Sequence, residues 1–352
     1  MARTPPARRG PRVLIITISV LVLVGLVSSA VVVTGVIGNP LARFAATATA
    51  TVTPRPTVLP TPTALPTATP IALNANVPHV NAIGVELLDA VTGQELYGLG
   101  ANDKLAMAST TKIMTALVTL LSATPLDQPV TVGNEIVGLD QYDTKMGVSQ
   151  GQIYTVRELL YGLLLPSGDD AALVLAKAIG GSQAAFVARM NTMAAFLGLT
   201  ATSFINPHGL DDSTLAGANV TSAHDLAILA TFAMQNATFR QIVATPTYTV
   251  PATATHDALP PLNTTNEFLS NKEHTKAGYD FTSVGTVLGI DGIKTGFTGL
   301  AGRCLVVEAR FRGHTVILVE LKEPYLPDTD ATYEQRFVDA TNLLKWLEPQ
   351  YP

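Results

Sequence analysis

The sequence predicts an α/β fold in which an antiparallel sheet is covered by helices and a run of helices is inserted between its strands. Three observations carry this. Val80 to Leu99 reads as a hairpin, Thr155 to Met234 as a succession of helices, and the chain from Thr245 onward as a strand meander closed by one amphipathic helix. Strands at both ends with helices between them belong to a sheet with helices packed on it, not to alternating βαβ units. No internal repeat is visible.

The chain has 352 residues, a net charge of -5 and 14% charged residues, with a mean hydropathy of +0.31. Its first eighty residues skew these values. Residues 1–12 carry Arg3, Arg8, Arg9 and Arg12, and residues 13–37 are uncharged and mostly apolar. As a helix that run is ~37 Å long, enough to cross a ~30 Å hydrocarbon core. The arginines then stay cytoplasmic and the rest of the chain lies outside, as a single-pass protein of the cell membrane. A cleaved signal sequence ending near Ser28-Ser29-Ala30 is the competing reading, and would make the protein secreted, but the apolar run continues past Ala30. Residues 38–79 follow as a Thr/Pro/Ala-rich linker with few core-forming side chains, reaching on the order of 100 Å at full extension. Residues 80–349 are long enough for one large domain.

Within that domain, Ile83 to Leu88, a turn around Val91-Thr92-Gly93 and Glu95 to Tyr97 form the hairpin. Ala108-Ser109-Thr110-Thr111-Lys112 then runs into Ile113 to Val118 with no glycine, proline or further charge, which puts Ser109 at a helix N-terminus. Val130 to Val148 reads as short strands and loops. Thr155-Val156-Arg157-Glu158 is a capping box opening a helix through Leu165. Pro166-Ser167-Gly168 breaks it, a helix from about Asp169 to Ile179 ends at Gly180-Gly181, and Ser182 caps another to Leu197. A further helix spans about Ala223 to Met234. Tyr248 to Val250, Thr286 to Leu288 and Gly302 to Phe311 have strand composition, and Arg312-Gly313 turns the last of these into Thr315 to Leu321. The closing helix, about Tyr333 to Leu347, carries Phe337, Thr341, Leu344 and Leu347 on one face.

The lone cysteine, Cys304, allows no internal disulfide and sits in a strand-like run as a small apolar residue. The six histidines show no metal-motif spacing such as HExxH, and no basic stripe suggests nucleic acid. No cofactor is expected. The chemistry lies in Ser109-x-x-Lys112. On a helix, residues three apart share a face, so the Lys112 amine reaches the Ser109 hydroxyl and, when neutral, can take its proton. An N-capping serine beside a solvated lysine is the ordinary alternative. Two further clusters weigh against it. Ser167-Gly168-Asp169 puts a hydroxyl in a break between helices, where Asp169 alone would read as an N-cap. Lys294-Thr295-Gly296, followed by Phe297, sets a lysine and a hydroxyl on a strand edge beside a glycine that permits close approach, a pattern suited to a carboxylate ligand. Asn206-Pro207-His208-Gly209-Leu210 yields no chemistry by itself.

In this order, Ser109-x-x-Lys112, Ser167-Gly168-Asp169 and Lys294-Thr295-Gly296 resemble the three signatures of the penicillin-interacting serine enzymes. Ala108 to Leu117, Asn206 to Leu210, Asn263 to Asn266 and Gly292 to Gly296 narrow the resemblance to the low-molecular-mass D-alanyl-D-alanine carboxypeptidases, over about Asn81 to Trp346. The resemblance implies a five-stranded antiparallel sheet flanked by helices with an all-helical subdomain. It implies Ser109 as acylated nucleophile, Lys112 as its base and Ser167 as relay for the leaving-group proton. Lys294 and Thr295 would bind the substrate's terminal carboxylate, and the Ser109 and Phe297 N–H groups would form the oxyanion hole. The implied partners are a peptidoglycan stem peptide as substrate and β-lactams as inhibitors.

The sequence departs from that pattern where Asp169 stands in the usual asparagine position. Lys272 to Val287 is longer than expected, and only about 55 residues follow the Lys294 motif, too few for a further β domain. A class A β-lactamase needs an E-x-x-L-N pentapeptide to activate its deacylating water, and none lies between Ser167 and Lys294. Endopeptidase cleavage of cross-links and a non-catalytic wall-binding role are the remaining alternatives.

Overall fold

A computed structural model of the chain describes residues 73, 76–270, 280–324 and 335–351. The expected N-terminal segment, the 13–37 span, nearly all of the linker and the first half of the Lys272–Val287 insert lie outside these residues. Among the described residues no single helix is long and apolar enough to cross a membrane.

In chain order the elements are β1 (Gly84–Asp89), β2 (Glu95–Leu99), β3 (Leu105–Ala106), a 3-10 turn (Ala108–Thr111), α1 (Lys112–Leu120), β4 (Pro129–Thr131), β5 (Ile153–Thr155), α2 (Val156–Leu164), α3 (Asp169–Gly180), α4 (Gln183–Phe196), β6 (Val220–Thr221), α5 (Ala223–Ala233), α6 (Ala237–Val243), β7 (Thr247–Tyr248), β8 (Leu262–Asn263), α7 (Phe281–Val287), β9 (Asp291–Thr298), β10 (Gly302–Phe311), β11 (His314–Glu323) and α8 (Gln335–Leu347). Five strands form the antiparallel sheet in the order β2-β1-β11-β10-β9, as expected.

Helices cover both faces of the sheet, which is why β1 is buried at every position and β10 and β11 nearly so. On one face Val85, Leu87, Leu305, Val307 and Leu318 pack with Phe337, Ala340, Leu344 and Leu347 of α8. On the other, Leu88, Val306, Ile317 and Val319 join the core of α1 to α6. The β10–β11 hairpin closes through two residues, Arg312 at φ 51° and Gly313 at φ 81°, the left-handed pair that a type I′ turn requires.

The capping box on α2 forms in both directions between Thr155 and Glu158. α3 ends at Gly181 in the left-handed conformation, and Ser182 caps α4. One expected strand is corrected, and two further details were not read from the sequence. Thr286 to Leu288 is not a strand: its first two residues end α7, because Asp280 caps that helix through the Ser283 N–H at 3.0 Å, and local capping overrides β composition. A separate helix, α6, follows α5, started by Asn236 accepting from the Thr238 and Phe239 N–H groups. The N-cap of α3 is Gly168, with no side-chain cap, and Asp169 is the helix's first residue.

Candidate active site

Ser109 lies in the 3-10 turn that leads into α1, half-buried. β3 pairs with β6, and two residues later Ala108 takes φ 46°. A left-handed alanine costs ~1–3 kcal/mol and persists only where its surroundings impose it. They do so through the Asn206–Leu210 loop. Gly209 sits at φ 97°, and a Cβ there would stand 2.0 Å from the Ala108 carbonyl oxygen, so only glycine lets the loop lie against the turn. Two asparagines hold it in place. Asn219 donates to Thr111 Oγ1 at 3.0 Å and accepts from the Ile205 N–H at 2.7 Å, and Asn206 Oδ1 accepts from the Gly209 N–H at 2.7 Å.

Lys112, the first residue of α1, is wholly buried. Its Nζ is 2.8 Å from Ser109 Oγ, 2.6 Å from Asp169 Oδ1 and 2.9 Å from the His208 carbonyl oxygen. An ionised carboxylate and a carbonyl can only accept. If they take two N–H groups of a neutral amine, its lone pair is left facing the serine hydroxyl. Burial pulls Lys112 below its ordinary pKa and outweighs the opposing pull of Asp169, then of Asp170 and Asp143. Burial, and then the Lys112 charge, push His208 down to about 4. Its Nδ1 accepts from the Leu210 N–H at 3.1 Å, so the ring is neutral at pH 7 with its proton on Nε2.

Ser167 joins α2 to α3 at φ 67°, buried, with no hydrogen-bond partner for its Oγ. The junction is fixed from outside. Asp170 accepts from the Met146, Gly147 and Val148 N–H groups at 2.9, 2.9 and 3.2 Å and from that of Ala171 at 2.8 Å. Thr144 Oγ1 lies 2.6 Å from the Ser167 carbonyl oxygen and 3.2 Å from Asp169 Oδ2. Asp169 therefore points into the cluster as the ion-pair partner of Lys112.

β9 is the edge strand of the sheet. Its register against β10 shifts between Val306 and Val307, a bulge of the kind that re-aims side chains. Lys294 and Gly296 lie opposite Val306 and Cys304, on the side turned to the 3-10 turn. A Cβ on Gly296 would come within 3.2 Å of Ala108 Cβ and of the Met107 carbonyl oxygen, so glycine lets the strand pass close behind Ser109. Lys294 is buried and donates to the Thr295 carbonyl oxygen at 2.9 Å. Burial first, and then the Lys112 charge, hold it well below its ordinary pKa. Thr295 Oγ1 is 2.6 Å from Thr265 Oγ1. Phe297 is 45% exposed, with the Arg303 guanidinium 5.1 Å from its ring centre. At the strand's end, Thr298 donates to Asp211 of the loop that also supplies His208.

The family profile described as D-alanyl-D-alanine carboxypeptidase matches residues 71–324. The chain belongs to that family. A D-alanyl-D-alanine carboxypeptidase of Streptomyces sp. (strain K15) is 36% identical over 272 residues, covering 72% of this chain and 86% of the relative. The crystal structure of the Streptomyces K15 DD-transpeptidase superposes with a TM-score of 0.65 at 33% identity, over 77% of this chain and 98% of that one. That of a D-alanyl-D-alanine carboxypeptidase from Mycobacterium tuberculosis H37Rv gives 0.67 at 30% identity, over 80% and 97%.

The structure thus brings the three motifs of this carboxypeptidase-family chain to one place: the 3-10 turn, the α2–α3 junction and the β9 edge. Sequence reasoning missed the His208 carbonyl, Thr144 and Asp170. The Asn206–Leu210 motif was visible, but its contribution is a backbone oxygen, which residue identity does not reveal. Thr144 lies in a loop with no motif to mark it.

Proposed function

We propose that this protein is a serine D-alanyl-D-alanine carboxypeptidase that trims the terminal D-alanine from peptidoglycan stem peptides and is acylated by β-lactams. The observation that carries this is Lys112 Nζ at 2.8 Å from Ser109 Oγ, with its other two contacts being acceptors. Ser109 Oγ attacks the carbonyl carbon of the penultimate residue while its proton passes to Lys112 Nζ. The N–H groups of Ser109 and Phe297 would hold the oxyanion, the former in the first turn of a helix whose leading N–H groups have no partner within the helix. Ser167 Oγ, buried and without a partner, would carry the proton to the departing D-alanine. Water then releases the acyl group from Ser109. Lys294 and Thr295 would take the terminal carboxylate, whose charge offsets the burial that disfavours the Lys294 ammonium. Membrane anchoring through residues 13–37, with 38–79 as tether and 80–349 as the catalytic domain outside the cytoplasm, rests on hydropathy and arginine placement alone.

The test is product analysis by mass on a pentapeptide muropeptide, alongside a matched thioester that lacks the free carboxylate. Native protein should release D-alanine from the first and hydrolyse the second. Lys294→Ala should lose far more activity on the first. Equal losses would remove the carboxylate-binding role, and no turnover of either substrate would remove the enzyme.

Asp169 sets the pH at which this base works. Its charge favours the Lys112 ammonium, so removing it lowers the Lys112 pKa and enlarges the neutral fraction below neutrality. In Asp169→Asn the acid limb of penicillin acylation should therefore move to lower pH, each unit corresponding to ~1.4 kcal/mol of lost differential interaction. A limb that stays in place would show that Asp169 does not bear charge beside Lys112.

A further inference from the structure

At the edge of the sheet opposite β9, Glu86 of β1, Glu95 of β2 and His224 of α5 each bring one ligand atom to within 4.8 Å of the others. Glu86 is wholly buried; its Oε1 is 3.2 Å from His224 Nδ1 and its Oε2 has no hydrogen-bond partner. The backbone is arranged for this meeting. Gly98 pairs with Glu86 across the hairpin, and a Cβ on Gly98 would stand 2.9 Å from Glu95 Oε1. The missing side chain is the space into which the Glu95 carboxylate folds back. The His224 N–H donates to the Ala101 carbonyl oxygen at 2.9 Å, fixing the start of α5. Glu95 is exposed and His224 34% exposed, which leaves an entry path.

Two neighbouring carboxylates, one of them buried, repel each other unless a cation or a proton lies between them. A third group that is an imidazole selects among cations. Histidine nitrogen with carboxylate oxygen is a zinc-type ligand set, and bonds of about 2.0–2.2 Å to one ion separate adjacent ligands by roughly the distance between His224 and Glu86. We propose that Glu86, Glu95 and His224 form a second, non-catalytic site for a divalent cation of the zinc class, with water completing its shell. Such an ion ties the β1–β2 hairpin to the start of α5. That helix follows β6, whose partner β3 leads into the Ser109 turn.

The experiment is calorimetric titration of Zn²⁺ into the purified, EDTA-stripped full chain, with melting temperatures read in parallel. The expected result is one ion per chain and a melting temperature that rises with zinc. Glu95→Gln and His224→Ala should each weaken binding by at least about tenfold, the scale on which even outer partners of a metal matter. His79→Ala, at an exposed histidine outside the cluster, should bind as the native protein does. Glu95 is exposed, so its variant decides the matter should His224→Ala fail to fold. No zinc uptake, or uptake that Glu95→Gln leaves unchanged, would overturn the proposal and leave the carboxyl pair held by a proton.

Discussion

Ser109→Ala should abolish both labelling by a fluorescent penicillin and release of D-alanine, while the melting temperature should stay close to that of the native protein. The fold is spared because Ser109 is only half-buried and contributes one hydrogen bond to Lys112, worth about 0.5–1.5 kcal/mol. The lysine keeps Asp169 and the His208 carbonyl, so neither the buried ion pair nor the loop behind the turn loses its partner. Activity is not spared, because no other serine in the chain has a lysine three residues later. Among the described residues Ser167 is the neighbouring rival, and its left-handed backbone and burial suit a proton relay more than a nucleophile. Covalent labelling that persists in purified Ser109→Ala would reassign the nucleophile.

The elements read best from the sequence are those whose signal is local. The α2 capping box, Ser182 before α4 and the Arg312-Gly313 turn each act within four residues, and each is found where it was read. β10 was legible because Leu305-Val306-Val307 gives it strand composition and Arg312-Gly313 marks its end. α7 was not: its valines and threonines have strand composition, and the decisive term is the cap supplied by Asp280. In the site, the three motifs announced the residue types but not their mutual geometry. Asp169 shows the limit. At a helix start an aspartate reads as a cap, yet Gly168 takes that position and the carboxylate turns to Lys112, 57 residues earlier in the chain. Glu86 and His224, 138 residues apart, are likewise brought together only by the packing of α5 on β1.

Lys112→Met should produce the second large effect, and it has two parts that can be separated. Without the amine, acylation by penicillin should fall by about 10²–10⁴, the usual worth of a positioned general base. The substitution also strands Asp169, 1% exposed, without its ion-pair partner. Breaking a buried pair by removing one member costs ~3–5 kcal/mol, because the remaining charge loses its compensation. For a domain of this size that is a fall in melting temperature on the order of 10 °C. Thr144 Oγ1 is 3.2 Å from Asp169, but its one proton goes to the Ser167 carbonyl oxygen at 2.6 Å, so it does not offset the loss. The double variant Lys112→Met/Asp169→Asn removes the stranded charge, so it should regain most of the melting temperature while acylation stays at the level of the single variant. Recovery of both would mean that Lys112→Met acts by distorting the site, and that another group takes the Ser109 proton. Recovery of neither would mean that the pair is not the source of the instability. Only the split outcome fits a lysine that is at once the base for Ser109 and the charge that makes a buried Asp169 tolerable.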